Sequence, residues 1–229
     1  MFQESRCMAK KIDFYQIYYE DSQKPYMFDW TKHYLNTTLT PFFENSLISN
    51  LVLQSEADKI AVTSWALKQK MTARIPPRRE LTEEVLQEDF DVMSFTKNAP
   101  SHDMLGALDG WHPGSVALLA KIWDSLGLEM PKKTRFPIYQ NAFCASHEVY
   151  LDYVVNFLIP AMYLIEFDQE IKDLCYKNSG YTVTTLNKPV DFGRIKKYLG
   201  IDYYPMHPFI LERCFSLWIE RKNLKVVYL

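Results

Sequence analysis

At 229 residues, 48% hydrophobic and 15% aromatic, the chain is long and apolar enough to bury a full core as one large domain, which argues against a disordered or low-complexity class. Charged residues make up 24%, with the signs almost cancelling at a formal net charge of -2, so no overall field draws the chain to nucleic acid and no basic stripe is interleaved with aromatics. The four cysteines, Cys7, Cys144, Cys175 and Cys214, show no C-x-x-C spacing, which argues against a zinc site or a disulfide framework and for a reduced, cytoplasmic protein.

The first eight residues lack the apolar core of a secretory signal. Ile12–Tyr19, β-branched and aromatic, reads as a buried first strand ending in the turn Glu20–Pro25. The polar segment that follows, to Thr40, offers Trp30, His33 and Tyr34 as lid residues. Thr40-Pro41 then has the form of an N-cap with proline at the first helical position, followed by Phe42, Phe43, Leu47, Ile48, Leu51 and Val52 at helical spacing. Lys59–Trp65 is an apolar strand. From Ala66 to Arg79 come five cations, Lys68, Lys70, Arg74, Arg78 and Arg79, and no carboxylate, which reads as a cationic loop at a strand's carboxyl end, either solvated or phosphate-binding.

Leu81–Glu88 reads as a short helix capped by Thr82, Asp91–Phe95 as a strand, and Thr96–Asp109 as a polar loop. Ser115 is the expected cap of a helix that Gly127 ends. Pro137–Ala145 is a further strand candidate, before a long helix opened by Ser146 and kinked or divided at Pro160. The longest uncharged run in that region, Tyr153–Ile165, has thirteen residues, short of the ~20 that span a bilayer as a helix. Residues 177–204 are aperiodic and expected as a surface excursion; 205–229 are expected as a helix from His207-Pro208 and a final strand, Lys225–Leu229. The alternation predicts a single three-layer α/β domain with a mostly parallel sheet and an irregular C-terminal part.

Four blocks occur in order along the chain: Phe43-Glu-Asn-Ser-Leu-Ile-Ser49, Val62-Thr-Ser-Trp-Ala-Leu-Lys-Gln-Lys70, Tyr139-Gln-Asn-Ala-Phe-Cys-Ala145 and His207-Pro-Phe-Ile-Leu-Glu-Arg-Cys-Phe-Ser216. In these blocks the chain resembles a family of small glycosyltransferase-like proteins encoded among capsule and lipopolysaccharide genes, with a Rossmann-like GT-A architecture. The resemblance implies transfer of a sugar from a nucleotide-diphosphate donor, lying across the strands' carboxyl ends, to a surface-glycan or lipid-linked acceptor. Family members often carry a His-Tyr-Arg-Arg type block where this chain has Ser64-Trp65 with lysines further on, which leaves the donor unassigned.

Expected donor contacts are Gln16 and Tyr18 at the end of the first strand, Glu44 and Asn45 at the helix start, then Ser64, Trp65, Lys68 and Lys70. The lysines, with Arg74, would neutralise the leaving diphosphate without a required cofactor. A manganese or magnesium ion on Asp89-Phe90-Asp91 is the minority alternative, because those acids precede their strand and serve as readily as a helix end and strand start. Asp109-Gly-Trp-His-Pro-Gly114 supplies catalytic-base candidates, Asp109 and His112, and Trp111 as a sugar-stacking face, or else a rigid turn. Asn141, Glu212 and Arg213 are the remaining acceptor or sugar-binding candidates. Arg194, Lys196, Lys197 and Tyr198 suggest peripheral contact with the inner membrane surface. A non-catalytic glycan- or protein-binding scaffold on the same fold is the rival reading, favoured by the missing post-strand Asp-x-Asp.

Overall fold

A computed structural model describes residues 9–73, 77–96, 103–184 and 189–229. The fold is α/β. Six strands, β1 Ile12–Tyr18, β2 Lys32–Leu35, β3 Lys59–Ser64, β4 Val92–Ser94, β5 Phe143–Ser146 and β6 Val226–Tyr228, form one sheet in the order β2-β1-β3-β5-β4-β6. Every pairing is parallel except the two made by β5, which runs against β3 and β4. The sheet is therefore mixed but mostly parallel.

Strand alternation divides the core between two faces. Ile17, Ile60, Val62, Val92, Phe143 and Ala145 belong to the larger cluster, under helices α1 (Glu44–Gln54), α5 (Ser115–Ser125), α6 (His147–Tyr153), α7 (Ile159–Phe167) and α10 (His207–Lys222). Phe14, Ala61, Met93 and Cys144 point the other way, against Leu67 and Met71 of α2 (Leu67–Ala73) and Leu86 of α3 (Glu83–Leu86). Aromatic side chains fill the larger cluster: Phe143 stacks on Phe215 with ring centroids 4.0 Å apart, and Trp123 lies 4.5 Å from Phe157. Each such pair adds about 0.5–1.5 kcal/mol beyond its area burial.

Several elements differ from the sequence expectation. The lid candidates His33 and Tyr34 lie in edge strand β2, exposed at all four positions, a length too short for alternation to register. The first helix begins at Glu44 because Thr40–Phe43 closes a turn first, Phe43 N–H donating to Thr40 O at 3.0 Å. The part of the cationic stretch that carries Lys68 and Lys70 is helical, Leu67–Ala73. The expected loop before Trp111 contains helix α4, Met104–Trp111, capped by Asp103, whose Oδ1 accepts from Gly106 N–H at 3.0 Å. Pro160 does not divide its helix. A π-helical turn, Val154–Leu158, precedes it, and Ile159 N–H reaches Val154 O, widening the turn where proline lacks a donor and crowds the carbonyl of residue 156.

The resulting run His147–Phe167, 21 residues whose most apolar 18-residue window has mean hydropathy 1.3, is long and apolar enough by length and composition to cross a membrane; 39% of that window is buried inside the fold. Tyr150, Tyr153, Val154, Phe157, Leu158, Ala161 and Ile165 of this run pack into the larger core cluster.

Candidate functional site

The order β2-β1-β3 places a topological switch at β1, whose chain continues to β2 on one side while β3 lies on the other. In open α/β sheets a crevice opens at such a point, outside the strands' carboxyl ends. A cleft of about 1140 Å³ occupies that position, with Tyr19, Thr63, Ser64 and Trp65 at the strand ends. Its floor is fastened by Gln16. That side chain, fully buried in β1, accepts from Phe28 N–H (2.7 Å) and Thr31 Oγ1–H (2.9 Å) and donates to Ser64 O (3.3 Å). Gln16 is thus committed inside the protein and does not line the cleft.

Tyr18 is buried away from the cleft beneath the Lys24 ammonium, and the next residue takes the expected place. Tyr19 lines the cleft and its hydroxyl donates to Glu44 Oε1 at 2.6 Å. Burial first, and the Glu44 carboxylate second, push the Tyr19 hydroxyl well above its ordinary pKa, so it stays a donor. Glu44, the first residue of α1, lines the cleft. Its neighbour Asn45 turns inward, with Nδ2–H donating to Phe42 O at 3.0 Å. Phe43, just before them, lines the cleft with φ 51° and stacks on Tyr204 at 5.1 Å. A side chain held in that backbone region is strained, a condition that concentrates at binding sites.

Ser64, Trp65 and Lys70 line the cleft, and Lys70 Nζ donates to Ser64 Oγ at 3.1 Å. Trp65 faces Tyr26 with ring centroids 5.9 Å apart. Lys68 is not on this wall; it points to solvent with its ammonium 5.6 Å from the Phe28 ring centre. Helix periodicity separates the two lysines, since residues two apart on a helix do not share a face. Arg74 lies outside the described residues.

The opposite wall comes from segments the sequence places far away. Residues 180–184, Pro189, Asp191, Arg194, Ile195 and Tyr204 line the cleft, so the stretch expected as a surface excursion is a wall of the site. Arg194 belongs to helix α9, Gly193–Leu199. Its guanidinium covers the Tyr19 ring at 4.6 Å and lies 3.9 Å from Glu20. Lys196, Lys197 and Tyr198 of the same helix are exposed. Turn-like composition hid this wall, because nothing periodic marks it.

Asp109 and His112 part company. Asp109 Oδ1 accepts from Gly114 N–H (3.1 Å) and Val116 N–H (3.2 Å), capping α5 in place of the expected Ser115. His112 lines the cleft at 5% exposure, its ring 3.9 Å from that of Phe209. Its Nδ1 bonds Ser179 O at 2.7 Å. A carbonyl only accepts, so Nδ1 carries the proton and Nε2 is left with the lone pair. Burial holds the imidazole below its ordinary pKa, with the Ser179 bond acting in the opposite sense. The result is a neutral ring with one basic nitrogen at pH 7.

Trp111 is 55% exposed on the cleft rim. Asn141 is not in a strand: β5 starts at Phe143, and Gln140 and Asn141 form a left-handed turn with φ of 62° and 52°, both on the cleft wall. Glu212 and Arg213, also on the wall, pair with each other at 2.5 Å.

The acids Asp89 and Asp91 do not fit a metal serving this cleft. They precede β4, at the amino ends of the parallel strands, and exposed Asp89 pairs with Lys10 at 3.0 Å. Among the described residues no group of three or more His, Cys, Asp or Glu side chains could hold a metal ion. Cys144, in the core, has its thiol pushed up to about 12 by burial, and His147 Nε2 bonds Val52 O at 2.9 Å, so the two form no dyad. No protein-family model matches the sequence, and neither a curated protein nor a solved structure gives a match.

Proposed function

We propose that the protein is a GT-A-like glycosyltransferase that moves a sugar from a nucleotide-diphosphate donor to a glycan or lipid-linked glycan. The observation that carries this reading is the cleft itself: it lies at the carboxyl-end switch point of a mostly parallel sheet and combines a Trp65–Tyr26 aromatic wall, the cations Lys70 and Arg194 and a tautomer-fixed histidine. The aromatic pair offers a face to the nucleobase. Lys70 and Arg194 meet the diphosphate, replacing the lysine pair expected from sequence, and offset the negative charge that grows on the leaving group.

Chemically, His112 Nε2 accepts the proton of an acceptor hydroxyl as that oxygen bonds to the anomeric carbon. The bond from that carbon to the diphosphate oxygen breaks, and the nucleoside diphosphate leaves with the electron pair. Trp111 at the rim stacks on the apolar face of a sugar. The test is a screen for nucleotide release from UDP-, GDP-, dTDP- and CMP-sugars with mixed glycan acceptors, in manganese and in chelator. Release from one diphosphate donor, lost in His112→Ala, supports the reading. Absence of release from every donor, with intact fold, moves the protein to the scaffold class.

A further inference from the structure

Arg213, on α10, is only 5% exposed yet lines the cleft. One arm is committed: Nη1 donates to Glu212 Oε1 at 2.5 Å, and the guanidinium carbon sits 4.8 Å from the Tyr139 ring centre. Nε is buried with no hydrogen-bond partner. The Nε and Nη2 hydrogens of a guanidinium point the same way and form the planar fork that receives a carboxylate with two parallel bonds. Leaving that Nε–H unpaired in a buried setting is unfavourable, and a ligand oxyanion that bridges Nε and Nη2 removes that cost.

The surroundings fix the fork in place. Glu212 is held further by the Gln140 N–H, which donates to the same Oε1, and Gln140 and Asn141 take strained left-handed conformations to bring that N–H to the wall. Phe209, one helical turn before Arg213, carries His112 against its ring. The charges of Arg213 and Glu212 both act on His112, so fork and base share one end of the cleft.

We propose that this end is an acidic-sugar subsite: Arg213 binds the carboxylate of a hexuronate or comparable sugar acid through its Nε–Nη2 edge. A monoanionic carboxylate fits the fork better than a dianionic phosphate, because Glu212, already paired with the other arm of Arg213, repels a second negative charge there. That the bound sugar is the acceptor rests on the glycosyltransferase reading; the binding itself does not.

The test measures binding of glucuronate, galacturonate, glucose and inorganic phosphate to the full chain at matched ionic strength, with a nucleoside diphosphate measured in parallel. The expected result is uronate binding at least about tenfold tighter than glucose, reduced by at least about tenfold in Arg213→Lys, which keeps the charge and loses the fork. Nucleoside diphosphate binding stays unchanged in that variant. Should Arg213→Lys fail to fold, the Arg213 Nε–H resonance of the unaltered protein replaces it, expected to move on adding glucuronate and not glucose. Equal binding of glucuronate and glucose, or no binding of either, overturns the proposal. So does phosphate binding tighter than glucuronate and dependent on Arg213. Loss of nucleotide binding alone counts against the transferase reading and leaves the uronate result standing.

Discussion

His112 and Asp109 sit three residues apart in one motif, and the difference between them is decided by what each already bonds. Asp109 spends one carboxylate oxygen on two backbone donors at the start of α5, so Asp109→Ala should lower stability by about 1 kcal/mol, as loss of a helix cap does, while sugar transfer changes little. A denaturant midpoint and a turnover assay on the same preparation check both halves. His112, with Nδ1 tied to Ser179, should behave oppositely: His112→Ala is expected to cut transfer by about 10²–10⁴-fold with nucleotide binding kept. Because burial holds its pKa down, the acid limb of kcat/KM should fall below the ordinary histidine value of about 6.5. A second buried ring gives a stability prediction. Burial lowers His207 to about 4, so between about 6.5 and 4 the unfolded chain takes up a proton the native one refuses, and stability is lost as pH falls through that window. The loss is about 3 kcal/mol. Urea midpoints from pH 7 to 4 should show it, and His207→Phe should flatten the slope.

At the scale of elements, strong apolar periodicity was legible and short or polar pieces were not. The first and third strands, the helix ended by Gly127 and the last helix from His207 stand within a residue or so of their expected bounds. Strand β2 escaped because all four residues are exposed, and α4 because its cap, Asp103, and most of its length fall inside the stretch read as polar loop. The site suffered from one misplaced phase: Gln16 and Tyr18 share a strand face, and Tyr19, just past the strand's end, is the residue that lines the cleft. The basic segment shows the same effect. Read as a loop it offers Lys68 and Lys70 equally; as helix α2 it presents Lys70 to the cleft and Lys68 to solvent. Lys68→Ala should therefore leave nucleotide affinity within about twofold, whereas Lys70→Ala should weaken it by about tenfold or more, the scale of losing a charge-assisted hydrogen bond. Isothermal titration of the two variants against one preferred nucleotide separates them.

At the scale of the whole molecule, the cleft exists because distant parts of the chain converge: strand ends β1 and β3 form the floor, and residues within 180–184 and 189–213 contribute the facing wall. No single sequence window carries that information, so individual groups such as Glu44, Trp65 and Arg213 were readable while their arrangement was not. The high aromatic content serves in large part as core, in the Phe143–Phe215 stack and the rings around Trp123. The central claim is that this cleft takes a nucleoside diphosphate. Its most direct test is a thermal-shift series with UDP, GDP, dTDP and CMP, each with manganese or chelator, on the unaltered protein and on a Lys70→Ala, Arg194→Ala double variant, since a ligand bound to the native state alone raises its melting temperature. The account predicts a rise with one diphosphate, kept in chelator and abolished in the double variant. A flat response to every nucleotide, or a rise the double variant retains in full, contradicts it.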